Sequence, residues 1–172
     1  MADSKRLVSE QLAGAATLRI GSPAFEPGGR IPVRYTADGA GVSPPLSWSA
    51  APSEAKMLVL VVEDPDAPRA DPYVHWVAYD MAPETTALPE GVPPPGRPGG
   101  LARMRQGPNA GGSLGWTPPA PPPGHGTHHY HFELFALDDR LALPDDATRD
   151  ELARAMEGHV LASGELVGTY AR

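Results

Sequence analysis

Short apolar runs separated by glycine, proline and aspartate recur along the chain, and the period of each run predicts its element. Residues 57–62, Met-Leu-Val-Leu-Val-Val, form an unbroken apolar run of strand length, the pattern of a strand buried on both faces. Residues 74–81 and 129–137 carry many aromatic and β-branched side chains and predict two further strands. In the second of these, Tyr130, Phe132, Leu134 and Ala136 fall on one face, while His129, His131, Glu133 and Phe135 fall on the other. Shorter β-prone segments at 17–20, 31–35 and 46–48 are flanked by glycine or proline, and Pro44-Pro45 starts the last of them extended.

Only one stretch has a helical period. Leu152, Met156 and Val160 repeat at i, i+4 and i+8, with Asp145 or Asp146 after Pro144 as the cap and Gly164 as the stop. Residues 165–170 then predict a short closing strand. Residues 1–16 read as a flexible or briefly helical lead-in to one domain spanning 17–172. Between the strands lies a long proline- and glycine-rich segment, residues 82–126. A loop of that length inside a compact domain is uncommon and often functional. A linker between two domains is the weaker reading, because about 45 residues follow it, too few for a second core. Many short strands, long irregular connections and one late helix predict a mainly β fold, an antiparallel β-sandwich with a C-terminal helix.

Composition narrows the class. With 22 prolines and 19 glycines in 172 residues, a helical bundle is excluded. The formal net charge is -7 and no Lys/Arg block exists, so neither nucleic acid nor an acidic membrane surface is an expected partner. An anionic ligand then needs a local site that works against the global charge. There is no cysteine, which excludes disulfides, thiol nucleophiles and thiolate metal sites. No secretory h-region opens the chain, and its longest apolar run is too short to span a bilayer, so a cytoplasmic location without membrane insertion is expected.

Three segments carry candidate chemistry. Asp64-Pro65-Asp66-Ala67-Pro68 directly follows the buried strand, placing two carboxylates at a strand end with prolines to fix their directions. Aspartate and proline are also the ordinary residues of a loop start. His75 opens the next strand, at the same end if the two strands are neighbours. The third segment, Gly124 to His131, holds His125, His128, His129 and His131. Zinc is the evident rival there, in a metal-dependent hydrolase with Glu133 as a further ligand. The spacing, however, matches no metal signature, and strand alternation puts His129 and His131 on the face opposite His128 and Tyr130. A Ser113, His128 and Asp64 triad lacks the Gly-x-Ser-x-Gly elbow, and no nucleotide-binding fingerprint is present. Imidazoles and the Tyr130 hydroxyl can donate hydrogen bonds to a phosphate or carboxylate, with the aspartates orienting the rings. The expectation is a small-anion binding protein that needs no cofactor and is not an enzyme.

These segments resemble the phosphatidylethanolamine-binding protein family, in particular its bacterial Raf kinase inhibitor-like branch. The resemblance rests on Tyr35-Thr36-Ala37-Asp38-Gly39, Ser43-Pro44-Pro45-Leu46-Ser47-Trp48, the Asp64–Pro68 segment with His75-Trp76, and Gly126-Thr127-His128-His129-Tyr130. The tail Leu166-Val167-Gly168-Thr169-Tyr170 also fits. It implies a large antiparallel β-sandwich with an anion pocket that takes phosphate or a phosphorylated head group such as phosphoethanolamine. By motif match the pocket falls on Asp64, Asp66, His75, His128 and Tyr130, with Pro68, Pro121 and Pro122 shaping its wall. It also implies an alternative function, inhibition of a serine protease or a kinase that would then be the partner, and a homodimer. Two positions depart from the family pattern. His129 stands where arginine is usual, which removes a permanent charge. Pro118 stands in the Pro-rich loop where glycine is usual, which removes a backbone N–H.

Overall fold

The computed structural model describes residues 6–12, 14, 16–96 and 101–172. The start of the lead-in, and Gly99 and Gly100 of the long loop, lie outside the described residues. The six-stranded sheet runs β1-β9-β8-β4-β5-β7, where β1 is Ala16–Thr17, β4 Met57–Asp64, β5 Tyr73–Met81, β7 Arg105–Gln106, β8 His128–Leu137 and β9 Val160–Tyr170. A second, three-stranded sheet runs β2-β3-β6, from Ile20–Gly21, Leu46–Trp48 and Ala87–Leu88. Two helices, α1 (Val8–Gln11) and α2 (Arg149–Met156), complete the regular structure.

The unbroken apolar run sits where its composition requires. β4 lies between β8 and β5, with all eight of its residues buried. Its even-numbered side chains, Leu58, Leu60 and Val62, join Trp76, Tyr130, Phe132 and the small-sheet residues Leu46, Trp48 and Leu88 in one core. Its odd-numbered side chains, Met57, Val59 and Val61, join Tyr79, Phe135 and the α2 residues Leu152 and Met156 in a second. The large sheet is therefore covered by the small sheet on one face and by helices on the other.

Several expectations are corrected. The segment 17–20 is not one strand: β1 pairs in parallel with β9, and after Leu18 and Arg19 the chain crosses to pair β2 with β3. The β1–β9 pair also makes the large sheet mixed rather than wholly antiparallel. Residues 31–35 keep only Ile31 on the ladder, through its N–H to the Thr169 carbonyl at 2.8 Å. Pro32 has no N–H to pair, and Val33–Tyr35 winds into a 3-10 turn closed by Thr36 on the Val33 carbonyl. The helix is capped by Thr148 rather than Asp145 or Asp146. Its hydroxyl accepts the Glu151 N–H at 3.2 Å and the Glu151 carboxylate accepts the Thr148 N–H at 3.0 Å, a complete capping box. The helix ends at Met156, so Val160 already belongs to β9 and Gly164 lies inside that strand rather than stopping the helix.

Within 82–126, besides β6 and β7, the backbone runs along the free edge of β5. The N–H groups of Gly107, Ala110 and Thr117 reach the carbonyls of Val77, Val74 and His75 at 2.8–2.9 Å. These bonds bring the proline-rich segment to the end of β5 where His75 stands. In the lead-in, Leu7 and Val8 are buried, and the N–H groups of Val8 and Ser9 reach the Glu63 and Glu133 carboxylates at 3.0 and 2.7 Å.

Candidate functional site

At one end of the large sheet, the small-sheet face opens into a cavity of about 470 Å³. Among its lining residues are Asp64 from the end of β4, His75 from β5, and His128 and Tyr130 from β8. Pro68, Pro121 and Pro122 form wall, as expected, joined by Pro118, Ala120 and Ala37. The Ala37 N–H is bonded to the Pro119 carbonyl at 2.9 Å, which ties the Tyr35–Gly39 motif to the proline wall. The size is that of an ordinary small-ligand site.

His75 reaches the cavity because β5 is irregular. The β4 register pairs Val62 with Trp76 but Glu63 with Val74, leaving His75 as the extra residue of a bulge. Val74 consequently packs toward the helix-side core and Trp76 toward the other. The ring of His75 lies edge-on to Tyr130 at 5.1 Å and tilted against Tyr73 at 4.7 Å.

The hydrogen bonds fix the protons. His75 Nδ1 lies 2.7 Å from the Thr117 carbonyl, which can only accept, so Nδ1 carries the hydrogen. Burial drives the His75 pKa down to about 4, with the Thr117 bond and Asp64 opposing that shift only in part. At neutral pH the ring is therefore uncharged, and Nε2 is a lone pair with no partner among the described residues. Tyr130 is 1 % exposed, and its hydroxyl likewise has no hydrogen-bond partner among the described residues. Burial, then the charge of Asp64, raises its pKa, so it stays a donor.

Asp64 is fully engaged: Oδ2 takes the Nδ1–H of His128 at 2.6 Å and Oδ1 takes the Asp66 N–H at 2.8 Å. The other nitrogen of His128, Nε2, lies 2.7 Å from Nδ1 of His125.

Asp66 is the one predicted pocket residue that does not line the cavity. Its carboxylate turns outward to the backbone N–H and Nδ1 of His129, at 2.8 and 2.7 Å. Burial pushes its pKa up, but the two His129 bonds outweigh that and hold it below the ordinary value. His129 is half exposed and outside the cavity, as strand alternation requires. The four clustered histidines do not converge on one point: His125 and His128 bond each other, His129 goes to Asp66, and His131 goes to Glu165 at 3.1 Å. No group of three metal-capable side chains occurs among the described residues. Ser113 is held by Asn109 and does not line the cavity.

Sequence reasoning missed Arg69, Tyr73 and Thr117 in the lining, and His125 behind His128. Arg69 follows Pro68 directly, and its guanidinium lies 5.6 Å from the Tyr73 ring centre at the mouth. It also missed a buried carboxyl pair on the opposite face of the same strands. Glu63 binds Arg149 at 2.7 Å, while burial and the neighbouring Glu63 raise the Glu133 pKa well above its usual value.

Comparison with known proteins places the chain. A sequence model described as phosphatidylethanolamine-binding protein matches residues 21–171. A UPF0098 protein of Methanothermobacter thermautotrophicus is 48% identical over 150 residues, spanning 87% of this chain and 95% of that one. A phosphatidylethanolamine-binding protein homologue from Chlamydia trachomatis has a TM-score of 0.81 at 40% identity, covering 92% of this chain and 99% of its own. A carboxypeptidase Y inhibitor, solved in complex with its cognate proteinase, has a TM-score of 0.52 at 15% identity, covering 94% of this chain and 86% of its own, a likeness of fold alone. No helix among the described residues is long and apolar enough to cross a membrane.

Proposed function

The chain belongs to the phosphatidylethanolamine-binding protein family, and from that premise and the cavity's chemistry we propose that it binds a small anion of the hydrogen-phosphate type, free or as a phosphorylated head group, without transforming it. One observation carries the reading. Two buried side chains with touching rings leave one acceptor and one donor unpaired on the cavity: His75 Nε2 and the Tyr130 hydroxyl. Both residues line the open cavity, where water or a ligand can complete these two atoms, and a ligand that offers both a donor and an acceptor fits the pair. A phosphate monoanion has both: a P–OH for His75 and an ionised oxygen for Tyr130. The negative charge of Asp64 disfavours a second charge on the ligand, and Arg69 at the mouth favours the first.

Calorimetric titration with inorganic phosphate and with phosphoethanolamine, each at about one pH unit on either side of its own second ionisation (near 6 for the monoester, about 7 for inorganic phosphate), tests this. The expected result is tighter binding at the lower pH, where the ligand keeps its proton, with affinity lost in both His75→Ala and His128→Ala. Equal affinity for sulfate, which carries no proton at either pH, would sink the hydrogen-phosphate reading. Unchanged affinity in the two alanine variants would sink the pocket itself.

A further inference from the structure

His128 lines the cavity, yet its Nε2 is not free to meet anything that enters. Its side chain is 2% exposed, Nδ1 is committed to Asp64, and Nε2 is covered by the His125 ring at 2.7 Å. His125 does not itself line the cavity. It is an exposed residue on the turn that leads into β8, between Gly124 at φ 75° and Gly126 at φ 95°. Both glycines hold a left-handed backbone, and a Cβ built on either meets no atom within 4 Å. The turn is tethered by the Gly124 N–H on the Arg172 carbonyl at 3.2 Å and the His125 N–H on the Pro122 carbonyl at 3.1 Å. The ring is therefore attached to the buried network by one hydrogen bond and flanked by space on its hinge residues.

We propose that His125 is a built-in competitor for the ligand position on His128, a latch whose ring must swing out before a P–OH of the ligand can donate to the Nε2 lone pair. It sets affinity without touching the bound ligand, because one hydrogen bond must break for each anion contact made at that nitrogen. The inference rests on the anion-binding reading for its consequence, but the latch exists independently of any ligand.

The test is His125→Ala, an exposed substitution, read in two ways. Diethyl pyrocarbonate carbethoxylates an imidazole only through an unbonded nitrogen. Peptide mapping of the variant at neutral pH is expected to show His128 modified several-fold faster than in the parent protein, with His75 unchanged as the internal measure of cavity access. Calorimetry with inorganic phosphate is expected to show affinity rising about two- to tenfold, the range that a net hydrogen bond of about 0.5–1.5 kcal/mol represents. Equal His128 reactivity in both proteins would overturn the latch. So would unchanged or weaker phosphate affinity in the variant, the weaker case making His125 a ligand contact. If His128 is unmasked but phosphate binds neither protein, the anion reading fails and the latch stands.

Discussion

Asp64 Oδ2 and His128 Nδ1 lie 2.6 Å apart, with side chains 4% and 2% exposed, just beyond the point where β4 and β8 last pair at Glu63 and His131. The two strands thus end in a charged hydrogen bond where the ladder stops. Replacing Asp64 by Asn removes the charge and leaves an amide that holds His128 only by reversing its tautomer. Asp64→Asn is expected to cost about 1.5–3 kcal/mol, the range for a hydrogen bond to a charged group, read as a lower urea midpoint at unchanged slope. The ¹⁵N shifts of His128 are expected to move its proton from Nδ1 to Nε2.

His75 makes the fold sensitive to mild acid. The unfolded chain takes up this proton near pH 6.5, whereas the native ring resists until about 4. The contribution of His75 is therefore complete above 6.5 and is lost as pH falls toward 4, by about 3 kcal/mol. Urea unfolding of the parent protein and of His75→Gln at matched pH values is expected to show a shallower slope for the variant between those limits. Parallel slopes would refute the assignment.

The opposite sign holds for Glu133. Its native pKa is raised, so its contribution is complete below the unfolded value near 4.5 and is lost as pH rises toward the native one. Glu133→Gln keeps the shape of the protonated acid and cannot ionise. The variant is expected to be more stable than the parent at pH about 8, with the difference shrinking toward pH about 4.

Gly164 marks a close approach inside β9. A Cβ there would meet the Leu18 carbonyl oxygen at 2.0 Å, and the Leu18 N–H is bonded to the Ser163 carbonyl at 2.9 Å. Gly164→Ala must push the β1–β2 crossover off the sheet. A loss of about 1–3 kcal/mol in thermal or urea unfolding is expected, as for other overpacked sites.

The central strands were legible in the sequence because burial on both faces imposes an unbroken apolar run, and the pocket was legible because Asp64, His75 and His128 stand at strand ends that pairing brings together. Where expectation failed, the deciding interaction was non-local. Gly164 reads as a helix stop until Leu18 is seen crossing it. The bulge that turns His75 into the cavity exists only in the mismatch between β4 and β5. Asp66 was grouped with Asp64 by their spacing, yet its partner is His129, from a strand more than sixty residues away. The helix cap is different: Thr148-x-x-Glu151 was present as a capping box and outranks the aspartates that precede it.

Glu63 and Asp64 are neighbours in sequence whose carboxyl groups serve opposite faces of one sheet, the first meeting Arg149 and Val8, the second His128. β4 is paired along both edges, so it cannot change length without its partners. Deleting one residue anywhere in 57–62 would put Glu63 at the place of Val62, in the core under the small sheet, and Asp64 at the place of Glu63 on the helix face, reversing both environments at once. This stretch of chain can drift in residue type but not in length.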